Sequence, residues 1–220
     1  MNKKVIITGA TGMVGEGVLH ECLQHPDIAE VLLLNRRPSG VTHPKVKELI
    51  QPDFLKFSEI QFDFTPYDAC FFCLGVSSVG MSKEEYYRAT YELTMGVAKT
   101  LVAQNPNLIF CYVSGAGTDS SEKGSSNWAR VKGKTENDLL KLPFKKAYMF
   151  RPGFLQPTPG LNNTLKMYSY IKWLVPLLRP FLSNYMSTLQ ELGLAMINVV
   201  EQGYGKPILE VKDIKALAKF

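Results

Sequence analysis

The chain has no apolar run long enough to span a bilayer. Its most apolar late stretch, 168–182, is broken by Lys172, Pro176, Arg179 and Pro180 and falls short of the ~20 residues a spanning helix needs. No stable membrane insertion is expected, and surface association through the same stretch stands as a lesser alternative. The basic start Met1-Asn2-Lys3-Lys4 is followed only by Val5-Ile6-Ile7 before Thr8 and Gly9, too short an apolar core for a secretory leader. Cysteine is also scarce. Cys22, Cys70, Cys73 and Cys111 sit in apolar, patterned segments rather than in a spaced framework. Cys70 and Cys73 form a CxxC, but it lies in a strand pattern where positions three apart face opposite ways, so core packing is expected and a metal or redox role is not. Reduced thiols point to a cytoplasmic setting. A basic stripe is missing too: 25 Lys and Arg against 20 Asp and Glu give a net charge of +5, scattered in ones and twos, and no nucleic-acid partner is expected. Repeats and low-complexity blocks are absent, and 220 residues with 45% hydrophobic content fit one domain spanning 1–220.

What is present is an alternation. Strand-length apolar runs recur at 4–8, 30–35, 69–74, 108–114 and 147–151, with a weaker one at 46–50, separated mostly by helical patterns. That order predicts an α/β fold, a parallel sheet with helices on both faces. Val14, Val18, Leu19, Cys22 and Leu23 fall at helical spacing before Pro26-Asp27, which ends the segment. Ser82-Lys83-Glu84-Glu85 has capping-box spacing and opens a second helix that Asn105-Pro106-Asn107 stops. A third helix runs over 127–142, before Pro143. The second and third helices together offer a face for a homodimer. After Arg151 come a Pro- and Gly-bearing loop, an aromatic-rich segment and a helix over 188–201, read as a small substrate cap contributed by about 154–206; a strand at 207–211 and a helix at 213–219 close the chain.

The first strand runs straight into Gly9-Ala10-Thr11-Gly12-Met13-Val14-Gly15 and then a helix. Closely spaced glycines between a strand and a helix present backbone N–H groups, at the positive end of the helix dipole, to a pyrophosphate. This is the Rossmann-type fingerprint for a dinucleotide, and the sheet is accordingly expected to be doubly wound. NAD-selective sites carry an acidic residue about 20 positions further on; here the second strand ends in Asn35-Arg36-Arg37. Two guanidinium groups in that place suit a 2′-phosphate, so NADP(H) is preferred over NAD(H). Asp63 is read either as an acceptor for the adenine amino group or as a turn former. Leu74 and Gly75 follow the fourth strand at the sheet's carboxyl edge, where Gly75 lets the backbone approach a cofactor.

Together with Cys73-Leu74-Gly75, Val113-Ser114-Gly115, Val131-Lys132-Gly133-Lys134 and Phe150-Arg151-Pro152-Gly153, the glycine loop resembles that of the atypical short-chain dehydrogenase/reductases, of the nucleotide-sugar epimerase-like and Tat-interactive oxidoreductase-like kind. The resemblance covers nearly the whole chain. It implies an oxidoreductase or epimerase acting on a carbonyl or hydroxyl small molecule. By that resemblance Ser114 would hydrogen-bond the substrate oxygen and Lys132 would hold the ribose. The proton-transfer tyrosine expected four residues before Lys132 is Trp128, and an indole N–H is only a donor. Trp128 then either lines the nicotinamide side of the pocket, one turn from Lys132 on the same helix face, or packs in the core. Tyr168, Tyr170 and Tyr185 are alternative proton donors, as is a water completing protonation while Ser114 polarises the carbonyl. Ser114 has a plain alternative as a turn opener, Lys132 as a solvated lysine, and Arg151 as a structural ion-pair partner. Pro152 and Gly153 are expected to shape the backbone beside the nicotinamide. Phe154 and Tyr168 are expected in the substrate pocket, under an apolar lid formed with Met167, Tyr170, Ile171, Trp173 and Leu174, which suits an apolar substrate. Trp128 also motivates a second class of function, a dinucleotide-binding regulatory module acting through a protein partner.

Overall fold

The computed structural model describes residues 2–163 and 185–220. A seven-stranded, wholly parallel sheet is built from β1 (Lys3–Thr8), β2 (Ile28–Asn35), β3 (Val46–Ile50), β4 (Ala69–Phe72), β5 (Ile109–Val113), β6 (Lys146–Arg151) and β9 (Ile208–Glu210), in the order β3-β2-β1-β4-β5-β6-β9. The short strands β7 (Phe154–Gln156) and β8 (Met186–Thr188) form a separate parallel pair. The order runs outward in both directions from β1 and β4, so the chain reverses between them, and a ligand crevice forms outside the carboxyl ends at such a switch point.

One face of the sheet carries α1 (Met13–Gln24), α5 (Leu189–Gln202) and α6 (Val211–Leu217) over Val5, Ile7, Val31, Leu33, Phe71 and Phe150. The other carries a 3₁₀ turn (Phe54–Glu59), α3 (Leu93–Gln104) and α4 (Asn127–Leu139) over Ile6, Leu32, Cys70, Phe72, Phe110 and Met149. The central strands read as unbroken apolar runs because both faces are covered. Cys70 and Cys73 fall on opposite faces, and burial pushes both thiols well up.

Helix starts follow local chemistry. The Ser82–Glu85 box opens α2 (Lys83–Tyr87), with Glu85 N–H on Ser82 Oγ at 3.1 Å and Ser82 N–H on Glu85 Oε2 at 2.8 Å. A π-helical stretch, Arg88–Glu92, joins α2 to α3. A second box, Thr188 with Glu191, opens α5. Gly17 of α1 and Gly193 of α5 let these helices cross closely: a Cβ on Gly17 would sit 2.8 Å from Leu189, and one on Gly193 would sit 2.6 Å from Glu21. Of the segment 154–206 expected to form a cap, α5 therefore lies in the main core. The apolar lid expected around Tyr168 and Tyr170 falls outside the described residues. The final helix begins at Val211, two residues before the expected start, with Glu210 N–H donating to Asp213 Oδ2 at 3.0 Å.

Candidate dinucleotide site

At the β1/β4 switch point the glycine loop closes on itself. Gly9 adopts φ +73°, and Gly12 N–H donates to Gly9 O at 3.0 Å. A Cβ on Gly9 would lie 2.9 Å from the Leu74 backbone, and one on Gly15 would lie 2.2 Å from Gly9 O. Only glycine permits both approaches. At Gly12 an added carbon would meet, among the described residues, only Gly9 O at 3.5 Å, an ordinary contact, so the chain's own packing does not demand glycine there. Gly12 caps α1 without a side-chain acceptor, which leaves the first N–H groups of the helix, at Met13 and Val14, for an external anion. Thr8, fully buried, ties the loop to β4 by accepting Leu74 N–H on Oγ1 at 3.2 Å.

Gly9, Gly12 and Leu74 help bound a cavity of about 280 Å³ lined also by Thr11, Leu34, Asn35, Arg36, Arg37, Cys73 and Gly75, while Met13, Val14 and Gly15 do not line it. Eight of the ten are expected cofactor residues. Leu34 and Cys73 join them in the lining, each immediately preceding an expected residue. Arg36 and Arg37 are exposed, and among the described residues neither guanidinium has a hydrogen-bond or ion-pair partner. Asn35 is buried, with Nδ2 donating to Glu48 Oε1 at 2.8 Å. A backbone cradle under a helix N-terminus, flanked by unengaged guanidinium groups, fits a nicotinamide dinucleotide.

Asp63 does not line the cavity. Its Oδ1 accepts from the side chain of Thr65 at 2.6 Å and from its N–H at 2.9 Å, and these bonds hold the carboxyl below its usual range. The residue is the turn former of the two readings.

Beside the crevice, β4 and β5 pair with Phe72 opposite Tyr112, which brings Leu74 and Ser114 to the same edge. Lys132 of α4 donates from Nζ to Ser114 O. Burial pulls this lysine down to about 8, with the Glu136 carboxylate acting against it. The Ser114 hydroxyl turns inward, bonded to the Glu136 carboxylate and to Phe150 O at 3.1 Å. Glu136 is fully buried and pairs with Arg151, which also reaches Glu210 Oε1 at 3.2 Å and Ser120 Oγ. Arg151 is thus the structural ion-pair partner of the two readings. Trp128 is half-buried, and a Cβ on Gly117 would lie 3.4 Å from its ring. Among the described residues its indole N–H has no acceptor. Pro152 O accepts Ala116 N–H at 2.8 Å, tying β6 to the loop after β5. Gly153 runs so close to the chain at Tyr185 that a Cβ would sit 2.1 Å from Tyr185 O, and Phe154, half-buried, donates its N–H to that oxygen at 2.9 Å. The Tyr185 side chain is 67% exposed. Tyr168 lies outside the described residues.

Residues 5–127 match the model of the NAD dependent epimerase/dehydratase family. The chain belongs to that family. Among relatives, a protein named HTATIP2 from Rattus norvegicus is 28% identical over 99% of this chain and 90% of its own length. A protein named fmp52-1, mitochondrial, from Aspergillus terreus is 26% identical over 74% of this chain and 71% of its own. Among solved structures, the Bordetella bronchiseptica enzyme WbmF in complex with NAD+ superposes with a TM-score of 0.68 at 12% identity, over 99% of this chain and 77% of that one, a likeness that establishes the fold. The names of the fungal relatives overturn the cytoplasmic expectation, since they are mitochondrial proteins by name. Free thiols persist in any reducing compartment and do not single out the cytoplasm. No helix among the described residues is long and apolar enough to cross a membrane.

Proposed function

We propose that the protein binds NADP(H) in the 280 Å³ crevice and acts as an oxidoreductase or epimerase on a carbonyl or hydroxyl small molecule. The observation that carries the cofactor choice is the pair of exposed, unengaged guanidinium groups of Arg36 and Arg37 on the cavity wall, where a carboxylate would select the free ribose hydroxyl. Bound there, a nicotinamide dinucleotide supplies or accepts a hydride. The chain's own residues do the rest: the N–H groups at the head of α1 meet the pyrophosphate, Gly75 admits the backbone beside the cofactor, Lys132 reaches the ribose from the edge of β5, and the Trp128 N–H offers a fixed donor beside the nicotinamide. Because the Ser114 hydroxyl is bonded to Glu136 and Phe150 O, it orients the end of β5 more readily than it polarises a substrate. An apolar substrate and a homodimer through α2, α3 and α4 belong to the same proposal, and sedimentation decides the second.

Titration with NADPH and NADH tests the cofactor. Tighter binding of NADPH in the wild type, falling about tenfold in Arg36→Ala or Arg37→Ala while NADH is unmoved, is the expected result. Tighter NADH binding removes the preference. Turnover is tested by NADPH oxidation across a broad carbonyl panel. Trp128, which cannot exchange a proton, favours a second reading: a dinucleotide-binding regulatory module whose cofactor state alters its affinity for a protein partner. Equal partner binding with and without NADPH would sink that one.

A further inference from the structure

The turn carrying Arg36 and Arg37 is closed from outside the cavity by one carboxylate. Glu48 lies in edge strand β3, opposite Leu33 of β2, and is exposed. Its Oε1 accepts from Asn35 Nδ2 at 2.8 Å and from Ser39 N–H at 2.9 Å. Asn35 is the last residue of β2 and Ser39 follows Pro38, so the same oxygen gathers both ends of the loop Asn35-Arg36-Arg37-Pro38-Ser39. The exit is fixed further by Val41 N–H on Ser39 Oγ at 3.2 Å and by Gly40 at φ +74°. The entry is fixed by Gln51 N–H on Asn35 O at 2.8 Å. Partial burial pushes the Glu48 carboxyl up, but the bonds from Asn35 and Ser39 outweigh it and hold the group below its usual range. It is therefore ionised and accepting at neutral pH.

An acidic side chain next to a site read as a phosphate grip is unexpected on charge alone, because it repels the anion that two arginines attract. Its geometry resolves the conflict. Glu48 does not line the cavity, and its oxygen is occupied by two N–H donors of the loop itself. Without it, a short loop bearing two long cationic side chains would have to be ordered by the ligand, and ordering at the moment of binding lowers affinity.

We infer that Glu48 is a positioning residue that clasps the Asn35–Ser39 loop, so that Arg36 and Arg37 present a preformed grip to the 2′-phosphate of a phosphorylated dinucleotide. The inference rests on the NADP(H) reading above. It makes a distinction that a general stabilising role would not: the clasp matters for ligands that carry the 2′-phosphate and not for NADH.

The test is titration of the full chain with NADPH, NADH and 2′,5′-ADP, followed by nucleotide and protein fluorescence or by calorimetry, alongside a melting curve for each variant. Glu48→Ala is expected to weaken NADPH and 2′,5′-ADP about tenfold and leave NADH within about twofold. Glu48→Gln keeps an oxygen acceptor and loses the repelling charge, so it is expected to bind NADPH as tightly as wild type or more tightly. A wild-type protein that binds NADH as tightly as NADPH overturns the cofactor preference itself, before any variant is compared. A wild-type preference for NADPH that survives Glu48→Ala overturns the clasp alone. So does equal weakening of NADPH and NADH by Glu48→Ala, or a Glu48→Gln variant as weak as the alanine.

Discussion

The ammonium of Lys132 donates to the carbonyl of Ser114, joining the middle of α4 to the carboxyl end of β5. Burial there disfavours the charged form and brings the amine down to about 8 from its ordinary 10.5. The folded state therefore releases this proton at lower pH than the unfolded chain. The resulting destabilisation is fully present below about pH 8 and is relieved as pH rises towards about 10.5, because over that window the unfolded chain binds more protons. Wild-type stability measured relative to Lys132→Met should thus rise between pH 8 and 10, by on the order of 1 kcal/mol or more. Paired denaturant melts across that range check it, and a flat or falling difference contradicts it.

Gly15 offers a sharper steric test. A β-carbon there would lie 2.2 Å from Gly9 O, and the contact is backbone, which cannot swing aside. Gly15→Ala should abolish measurable dinucleotide binding and lower stability by roughly 1–3 kcal/mol, as overpacking does. Gly96→Ala is the control. It sits in α3 with nothing among the described residues within 4 Å of an added Cβ, and it should be neutral or slightly stabilising. Thermal melts with and without NADPH separate the two effects.

The parts of the fold and site visible in the sequence are those encoded by neighbours along the chain. The glycine loop, the Ser82–Glu85 box and the apolar runs of β1, β2, β4, β5 and β6 each occupy a short window in which residue type dictates local geometry. Even edge strand β3 was legible, although only as a weak pattern. What could not be read is what tertiary folding brings together. Glu136 and Arg151 meet across α4 and β6, and Asn35 and Glu48 meet across β2 and β3. No periodicity announces such pairs, because a polar residue in an amphipathic helix or on an edge strand looks like a solvated one. The same limit applied to Ser114. Its position at the end of β5 was readable, but the inward direction of its hydroxyl depends on a buried carboxylate 22 residues further on. Asp63 went the other way, since an aspartate two residues before a threonine satisfies its own turn.

The Glu136–Arg151 pair predicts strongly non-additive energetics. Glu136 is at 0% exposure and Arg151 at 9%, so removing the cation leaves a charge with no water to solvate it. Arg151→Met should destabilise by about 3–5 kcal/mol. Adding Glu136→Gln should recover part of that loss, because the remaining group no longer carries a charge. A double-mutant cycle measures the coupling. Two additive, small effects would mean that the pair is more hydrated than its burial indicates.

Trp128 carries the prediction that separates binding from chemistry. It stands one helical turn before Lys132, with its ring against Gly117 and its N–H without an acceptor among the described residues. An indole there can donate a hydrogen bond but cannot return a proton to a developing alkoxide, whereas a phenol beside an ammonium can. If the missing acid is what limits turnover, Trp128→Tyr should raise NADPH oxidation on responsive carbonyl substrates by about 10²- to 10⁴-fold. NADPH affinity should stay within about twofold, since the pyrophosphate cradle and Arg36–Arg37 are untouched. The gain should vanish when Lys132→Met is added, because the phenol then loses the neighbouring charge that depresses its pKa. A folded Trp128→Tyr variant that binds NADPH normally and gains no activity would show that the tyrosine's absence does not set the rate, and would shift the weight to the regulatory reading.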